Sequence, residues 1–201
     1  VLGVESLEDI GSFRRTVSSL TDDAVVPKLV CAINHHRIEG AVVGAYLTKL
    51  NIGMVLYSGV RQPSQGRGIY SAMRGYLIDL LNNLVGGGRM DRSDCPEHLS
   101  QIDYLVSELD EGSQIFERYV GRWGAYVAPC RYEQPATQGL SARELKLVLQ
   151  PVARSRPPNS DEITTIVLEV YRRVYRLSDD LLSPYLLRVV ESMGANALSG
   201  R

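Results

Sequence analysis

The residues with the clearest chemical potential are Gly66, Arg67 and Gly68, inside the run Val60 to Tyr70 (VRQPSQGRGIY). An apolar, strand-like stretch, Asn51 to Val60, leads into them. Ile69, Met73, Leu77, Leu80, Leu81 and Leu84 then recur at helical spacing. The first amides of a helix have no partner within it and can turn toward an anion. Glycine lets the backbone take positive φ and approach a ligand closely. The chemistry to expect is a cradle for phosphate or pyrophosphate; the plain alternative is a loop with an exposed arginine. A nucleotide P-loop would need Gly-Lys-Ser/Thr, which is absent. A dinucleotide fingerprint fails at Ser71, where its third glycine belongs, and at the missing acidic residue on a following strand.

Other reactive side chains are scattered. His35 and His36 fall in a turn, and His98 lies in a polar loop. Cys31, Cys95 and Cys130 stand far apart with no CxxC, so a disulfide framework is not expected and a reducing cytoplasm is the simple reading. No His, Cys and carboxylate cluster has metal-ligand spacing, and no GxSxG elbow occurs. No metal is expected.

The elements that must position the glycine turn can be read in order. Leu7, Ile10, Phe13, Val17 and Leu20 mark an opening helix. Lys28 to Asn34 and Ala41 to Leu47 read as paired strands joined through His35 to Gly40, with a bulge or close approach at Gly44. The strand Asn51 to Val60 and the helix from Ile69 follow, and Gly86 to Gly88 end that helix. After a polar loop come a strand at Gln101 to Leu109, a helix at Ser113 to Trp123, and strands at Ala125 to Arg131 and Glu144 to Leu149. Arg154 to Ser160, with two prolines, reads as a boundary. Beyond it Asn159 and Glu162 suit a capping box, and a second helix would begin at Ser183-Pro184. The expected organisation is a domain over residues 1–153 and a C-terminal helical appendage over 154–201.

The 201 residues are 44% hydrophobic and 22% charged, with a formal net charge of -1. That balance offers no electrostatic footprint for nucleic acid. The most apolar window, Ala41 to Val60, is broken by Lys49, Asn51 and glycines, so no membrane span is expected. No basic stretch followed by an apolar one opens the sequence, so no signal peptide is expected. The apolar stripes of the C-terminal helices need a cover, either their own sheet or a second copy in a homodimer.

The junction Gln65-Gly66-Arg67-Gly68-Ile69-Tyr70 resembles the acyl-CoA motif of the GCN5-related N-acetyltransferases: Arg or Gln, two residues, Gly, one residue, then Gly or Ala. It departs at Tyr70, the position of the final small residue. The strands before it and the strand, helix and strands after it resemble the rest of that family's pattern over about residues 25 to 150. The resemblance implies a mixed α/β fold, a mostly antiparallel central sheet flanked by helices. It implies a cytoplasmic transferase moving acetyl from acetyl-CoA to a small-molecule or peptide amine by direct attack. Gln65, Gly66, Arg67, Gly68, Ile69 and Tyr70 would hold the pyrophosphate, and Ser58, Gly59, Val60 and Arg61 would line the acyl arm. Tyr119 is then the candidate acid for the thiolate, with Tyr126 behind it. Glu108 is the candidate base, its plain alternative being a solvated member of the acidic run Glu108 to Glu111. Because residues 51 to 60 hold no carboxylate, a catalytically silent acyl-CoA-binding or regulatory module is the alternative.

Overall fold

A computed structural model of the chain describes residues 24–87, 100–136 and 141–199. The expected helix at Glu5 to Leu20, and all but the last residue of the polar loop expected at Arg89 to Ser100, lie outside them. Three strands open the described chain: β1 (Val25–Asn34), β2 (Arg37–Leu47) and β3 (Ile52–Val60), each antiparallel to the next. His35 and His36 alone turn β1 into β2, at φ of 44° and 64°. Two successive positive φ values make the mirror-image turn whose twist suits a hairpin. The connection is therefore shorter than the sequence suggests, because neither histidine is the Asn or Gly that usually marks such a turn.

Between β2 and β3 the register jumps from Val43↔Tyr57 to Gly44↔Val55, which leaves Leu56 opposite no residue of its own. Gly44 is also a close approach. A Cβ there would stand 2.7 Å from a Leu77 methyl and 3.0 Å from the Met54 carbonyl oxygen. The absent side chain lets α1 (Ile69–Gly87) lie against the hairpin and bury Met73, Leu77 and Leu81.

The chain falls into two compact units, Val1–Leu105 and Val106–Arg201. β4 (Tyr104–Leu109) begins in the first and ends in the second. The helix after it opens as α2 (Gln114–Glu117), capped by the Ser113 hydroxyl, and widens into a π-turn over Arg118–Arg122. The strand expected at Ala125 to Arg131 is only β5 (Tyr126–Val127), and β6 (Tyr132–Gln134) follows where none was expected. Both pair antiparallel with different parts of β7 (Arg143–Pro151), so one long strand serves two short partners. Pieces this short leave too few residues for an alternating pattern to register. The strands form a seven-stranded sheet in the order β1-β2-β3-β4-β7-β5, with β6 on β7. This is a mixed α/β fold with a mostly antiparallel sheet and flanking helices.

α3 (Ser160–Glu169) starts at the expected capping box, with Asn159 Oδ1 and the Glu162 amide 2.9 Å apart. It runs into a second π-turn at Val170–Val174. α4 (Asp179–Ser199) begins before the expected Ser183-Pro184 and takes Pro184 inside its early turns. Asp179 and Asp180 at its start suit the positive end of the helix dipole. The core of this unit is Tyr119, Tyr132, Leu147, Val148, Leu149, Val167, Val170 and Tyr171, all fully buried.

Candidate functional site

The glycine turn lies in the first unit and is built from β3, a short 3-10 turn at Gln62–Ser64, and the start of α1. Gly66 and Gly68 sit at φ of 77° and 79°, and nothing stands within 4 Å of a Cβ placed on either. Left-handed backbone costs an ordinary residue about 1–2 kcal/mol, so these are glycine positions by conformation. Open space beside them leaves the backbone approachable. Gln65, Gly66, Arg67 and Gly68 are exposed, while Ile69 and Tyr70 are half-buried in the first helical turn. The Gly68 carbonyl accepts the Ala72 amide, so Gly68 caps α1; the first amides of a helix have no partner within it. The Gln65 amide is already bonded to the Gln62 carbonyl at 3.2 Å, and its side chain reaches back to the Val60 carbonyl at 3.0 Å. Gln65 therefore shapes the turn, leaving Gly66 and Gly68 as its open glycine positions.

The turn is fastened to β2 by residues that no motif announces. Arg61 donates its amide to the Glu39 carbonyl at 2.8 Å, and the buried Ser64 hydroxyl donates to the Glu39 carboxylate. Ser58, Gly59 and Val60 pair regularly with Val42, Ala41 and Gly40. The irregular backbone of β3 lies upstream, at Leu56. A bulge of this kind removes one residue from the ladder and bends the strand.

The two proton-transfer candidates lie in the second unit, and the structure does not bring them together. Tyr119 is fully buried in the π-turn after α2, its ring edge-on to Trp123 with centroids 4.8 Å apart. Its hydroxyl accepts a hydrogen bond from Ser107 Oγ at 3.0 Å. Ser107 and Glu108 are successive residues of β4, so their side chains leave opposite faces. Tyr126, the second tyrosine considered, donates its hydroxyl to the Ser155 carbonyl at 2.6 Å and so tethers the proline loop.

Glu108 is set apart from the rest of its acidic run. Asp110 and Glu111 pair with Arg143 and Lys146 on β7. The Glu108 carboxylate instead accepts the hydroxyls of Tyr132 and Tyr175, and Gln134 Nε2 stands 3.3 Å from Oε2. Burial pushes its carboxyl above the ordinary carboxylate range, and the two tyrosine hydrogen bonds pull against that shift. Burial, reinforced by the Glu108 charge, likewise raises Tyr132 well above the usual phenol value. Tyr132, Gln134 and Tyr175 are invisible to local reading: Tyr175 lies 67 residues from Glu108 and past the proline boundary. Among the described residues, no group of three or more His, Cys, Asp or Glu could hold a metal ion. No described helix is long and apolar enough to cross a membrane.

No protein-family model matches the chain, and no curated relative matches it. Solved structures do. A GNAT-family protein from Bacteroides thetaiotaomicron superposes with a TM-score of 0.56 over 87% of this chain and 88% of its own, at 12% identity. A ribosomal-protein-alanine N-acetyltransferase from Brucella melitensis covers 74% and 82% at a TM-score of 0.48 and 11% identity. A Salmonella typhimurium structure containing acetyl-CoA covers 76% and 77% at 0.46 and 10%. The fold assignment rests on the first of these. The chain has the fold of the GCN5-related N-acetyltransferases.

Proposed function

We propose that the chain is an acyl-CoA-dependent N-acyltransferase, acetyl-CoA being the donor and a small-molecule or peptide amine the acceptor. One observation carries this reading: a strand, a turn with two left-handed glycines open to approach, and a long helix start, in the fold that supports such sites. In this reading the amides of Gly66 to Tyr70 hold the donor's pyrophosphate, aided by the dipole of α1 and the Arg67 charge. Ser58, Gly59, Val60 and Arg61 line the acyl arm, and a backbone group among them donates toward the thioester oxygen as it gains charge.

The reaction forms a C–N bond and breaks a C–S bond. The amine's proton passes to a base and the leaving thiolate takes one from an acid. Glu108 is proposed as the base, since a carboxyl held above its ordinary range is the better proton acceptor. Tyr119 is proposed as the acid. The Ser107 hydroxyl aimed at its oxygen stabilises the phenolate left after donation. The proposal extends to a catalytic domain over residues 1–153, a C-terminal helical segment over 154–201, a cytoplasmic setting and a homodimer.

A second reading, a catalytically silent acyl-CoA-binding module, is favoured by the placement of Glu108 and Tyr119 on opposite faces of β4. A thiol-release assay with acetyl-CoA and a panel of amines separates the two. Release that depends on the amine supports the transferase. CoA binding without release across the panel supports the silent module, and no CoA binding defeats both.

A further inference from the structure

The C-terminal segment reaches Glu108 through a cluster of tyrosines. Tyr132 on β6 stacks on Tyr171 with ring centroids 5.5 Å apart. Tyr171 meets Tyr175 at 6.4 Å and Tyr185 at 5.6 Å, and Arg188 lies over the Tyr185 ring. Packing alone explains four rings. It does not explain why the ring at 175 carries a hydroxyl, because a buried polar group costs free energy unless it is bonded. That hydroxyl is bonded to a carboxylate. It donates to Glu108 Oε2 and accepts from Gln134 Nε2 at 2.9 Å. Gln134, Tyr175 and Glu108 thus close a triangle. The amide occupies the phenol oxygen as donor, so the phenol proton is directed onto the carboxylate.

The backbone places Tyr175 for this contact. The π-turn Val170–Val174 ends with the Tyr175 amide on the Val170 carbonyl at 3.1 Å, and Arg176 follows at φ 55°. The wider turn shifts Tyr175 off the position it would hold in an unbroken α-helix. Such turns are frequent at functional sites. The Tyr171 hydroxyl fixes the preceding turn by donating to the Glu133 carbonyl at 2.8 Å.

We propose that Tyr175 is a positioning residue for the Glu108 carboxylate, which makes the C-terminal segment part of the proton-transfer machinery rather than an appendage. This rests on the reading of Glu108 as the base. The hydroxyl holds one carboxylate oxygen in place and favours its charged form, while Tyr132 holds the other oxygen from β6. Among the described residues, the titratable groups that interact with Glu108 are Tyr132 on β6 and Tyr171 and Tyr175 on the C-terminal segment, with Asp110 and Glu111 next along its own chain stretch. The last two are matched by Arg143 and Lys146, and Glu133 on β6 is matched by Arg188.

The test reads Glu108 directly. Carboxyl-carbon NMR titration of the full chain, with the Glu108 signal assigned from Glu108→Gln, is compared with Tyr175→Phe and Tyr185→Phe. The first phenylalanine removes the hydroxyl on Glu108 and keeps the ring; the second removes a hydroxyl elsewhere in the cluster. Tyr175→Phe should raise the Glu108 pKa by about one unit, Tyr132→Phe should raise it similarly, and Tyr185→Phe should leave it in place. In the acyl-transfer assay the acid limb of kcat/KM should move with the NMR value. An unshifted Glu108 in Tyr175→Phe overturns the positioning role even if Glu108→Gln is inactive. Full activity in Glu108→Gln overturns the base, and with it the proton-transfer role, whatever the titration shows.

Discussion

Replacing Gly68 by aspartate separates the cradle from a merely flexible loop. Gly68 stands at φ 79°, with nothing within 4 Å of an added Cβ. The folded chain therefore loses only the backbone term, about 1–2 kcal/mol. Asparagine at the same position carries nearly the same strain without charge and tolerates left-handed backbone better than most residues. The difference between the two variants is then electrostatic. A carboxylate about 4 Å from one phosphate charge costs on the order of 4 kcal/mol at an effective dielectric near 20, before salt screening. That corresponds to a loss of CoA affinity approaching a thousandfold. Titration calorimetry with CoA at two salt concentrations measures the effect, and urea unfolding checks the stability term. Gly68→Asn should bind within about tenfold of the parent, and Gly68→Asp should show weak, salt-sensitive binding. Equal affinity in the two folded variants would falsify the pyrophosphate assignment, because no anion could then lie beside this turn.

Three further outcomes follow from particular contacts. Ser64→Ala removes the hydroxyl that fastens the turn to Glu39; CoA affinity should fall about tenfold, the worth of one hydrogen bond to a charged group, and unchanged calorimetric affinity would show that the turn holds its shape without it. Gly44→Ala forces a methyl to within 2.7 Å of Leu77; urea melts should show a loss of about 1–3 kcal/mol from overpacking, and a stabilised protein would mean that α1 can shift freely. Glu162 is held down to about 2 by the Arg156 hydrogen bond and by the Asn159 amide. A carboxyl lowered on folding contributes stability above its unfolded value, near 4.5, and loses it as pH falls toward 2. The stability gap between the parent and Glu162→Gln should therefore be widest near neutrality and close on acidification; a gap independent of pH would remove the charge argument.

Legibility in the sequence tracked the distance over which the controlling interaction acts. The turn was readable because its strand, glycines and helix are contiguous from Ile52 to Gly87 and each leaves a local mark. So was the capping box at Asn159, which needs only four residues. The hairpin at His35 and His36 was misjudged in length, since its left-handed residues are not the usual ones. β6 went unseen because three residues on the far half of β7 leave no period to detect. The support of Glu108 was beyond local reading. Its partners come from β6 and from the residue that follows the second π-turn, and only the folded tyrosine cluster shows that Glu108 leaves the solvated acidic run while Asp110 and Glu111 stay in it.

The alternation of β4 sets the remaining constraint on mechanism. Ser107 carries its hydroxyl to Tyr119 on one face, and Glu108 carries its carboxylate to Tyr132 and Tyr175 on the other. A one-residue change of register in this strand would exchange the two environments. It would place a carboxylate against the buried Tyr119 and a hydroxyl among the tyrosines. Burial raises the proton affinity of the carboxyl, while the Ser107 hydroxyl donates to the Tyr119 oxygen. The two groups meet different elements: Tyr119, on the π-turn after α2, bonds Ser107 of β4, and Glu108 meets Tyr132 of β6 and Tyr175 of the C-terminal segment. A perturbation confined to the C-terminal segment therefore acts on Glu108 and leaves the Ser107–Tyr119 pair in place, so under the proposed function the base and acid roles are separable by mutation.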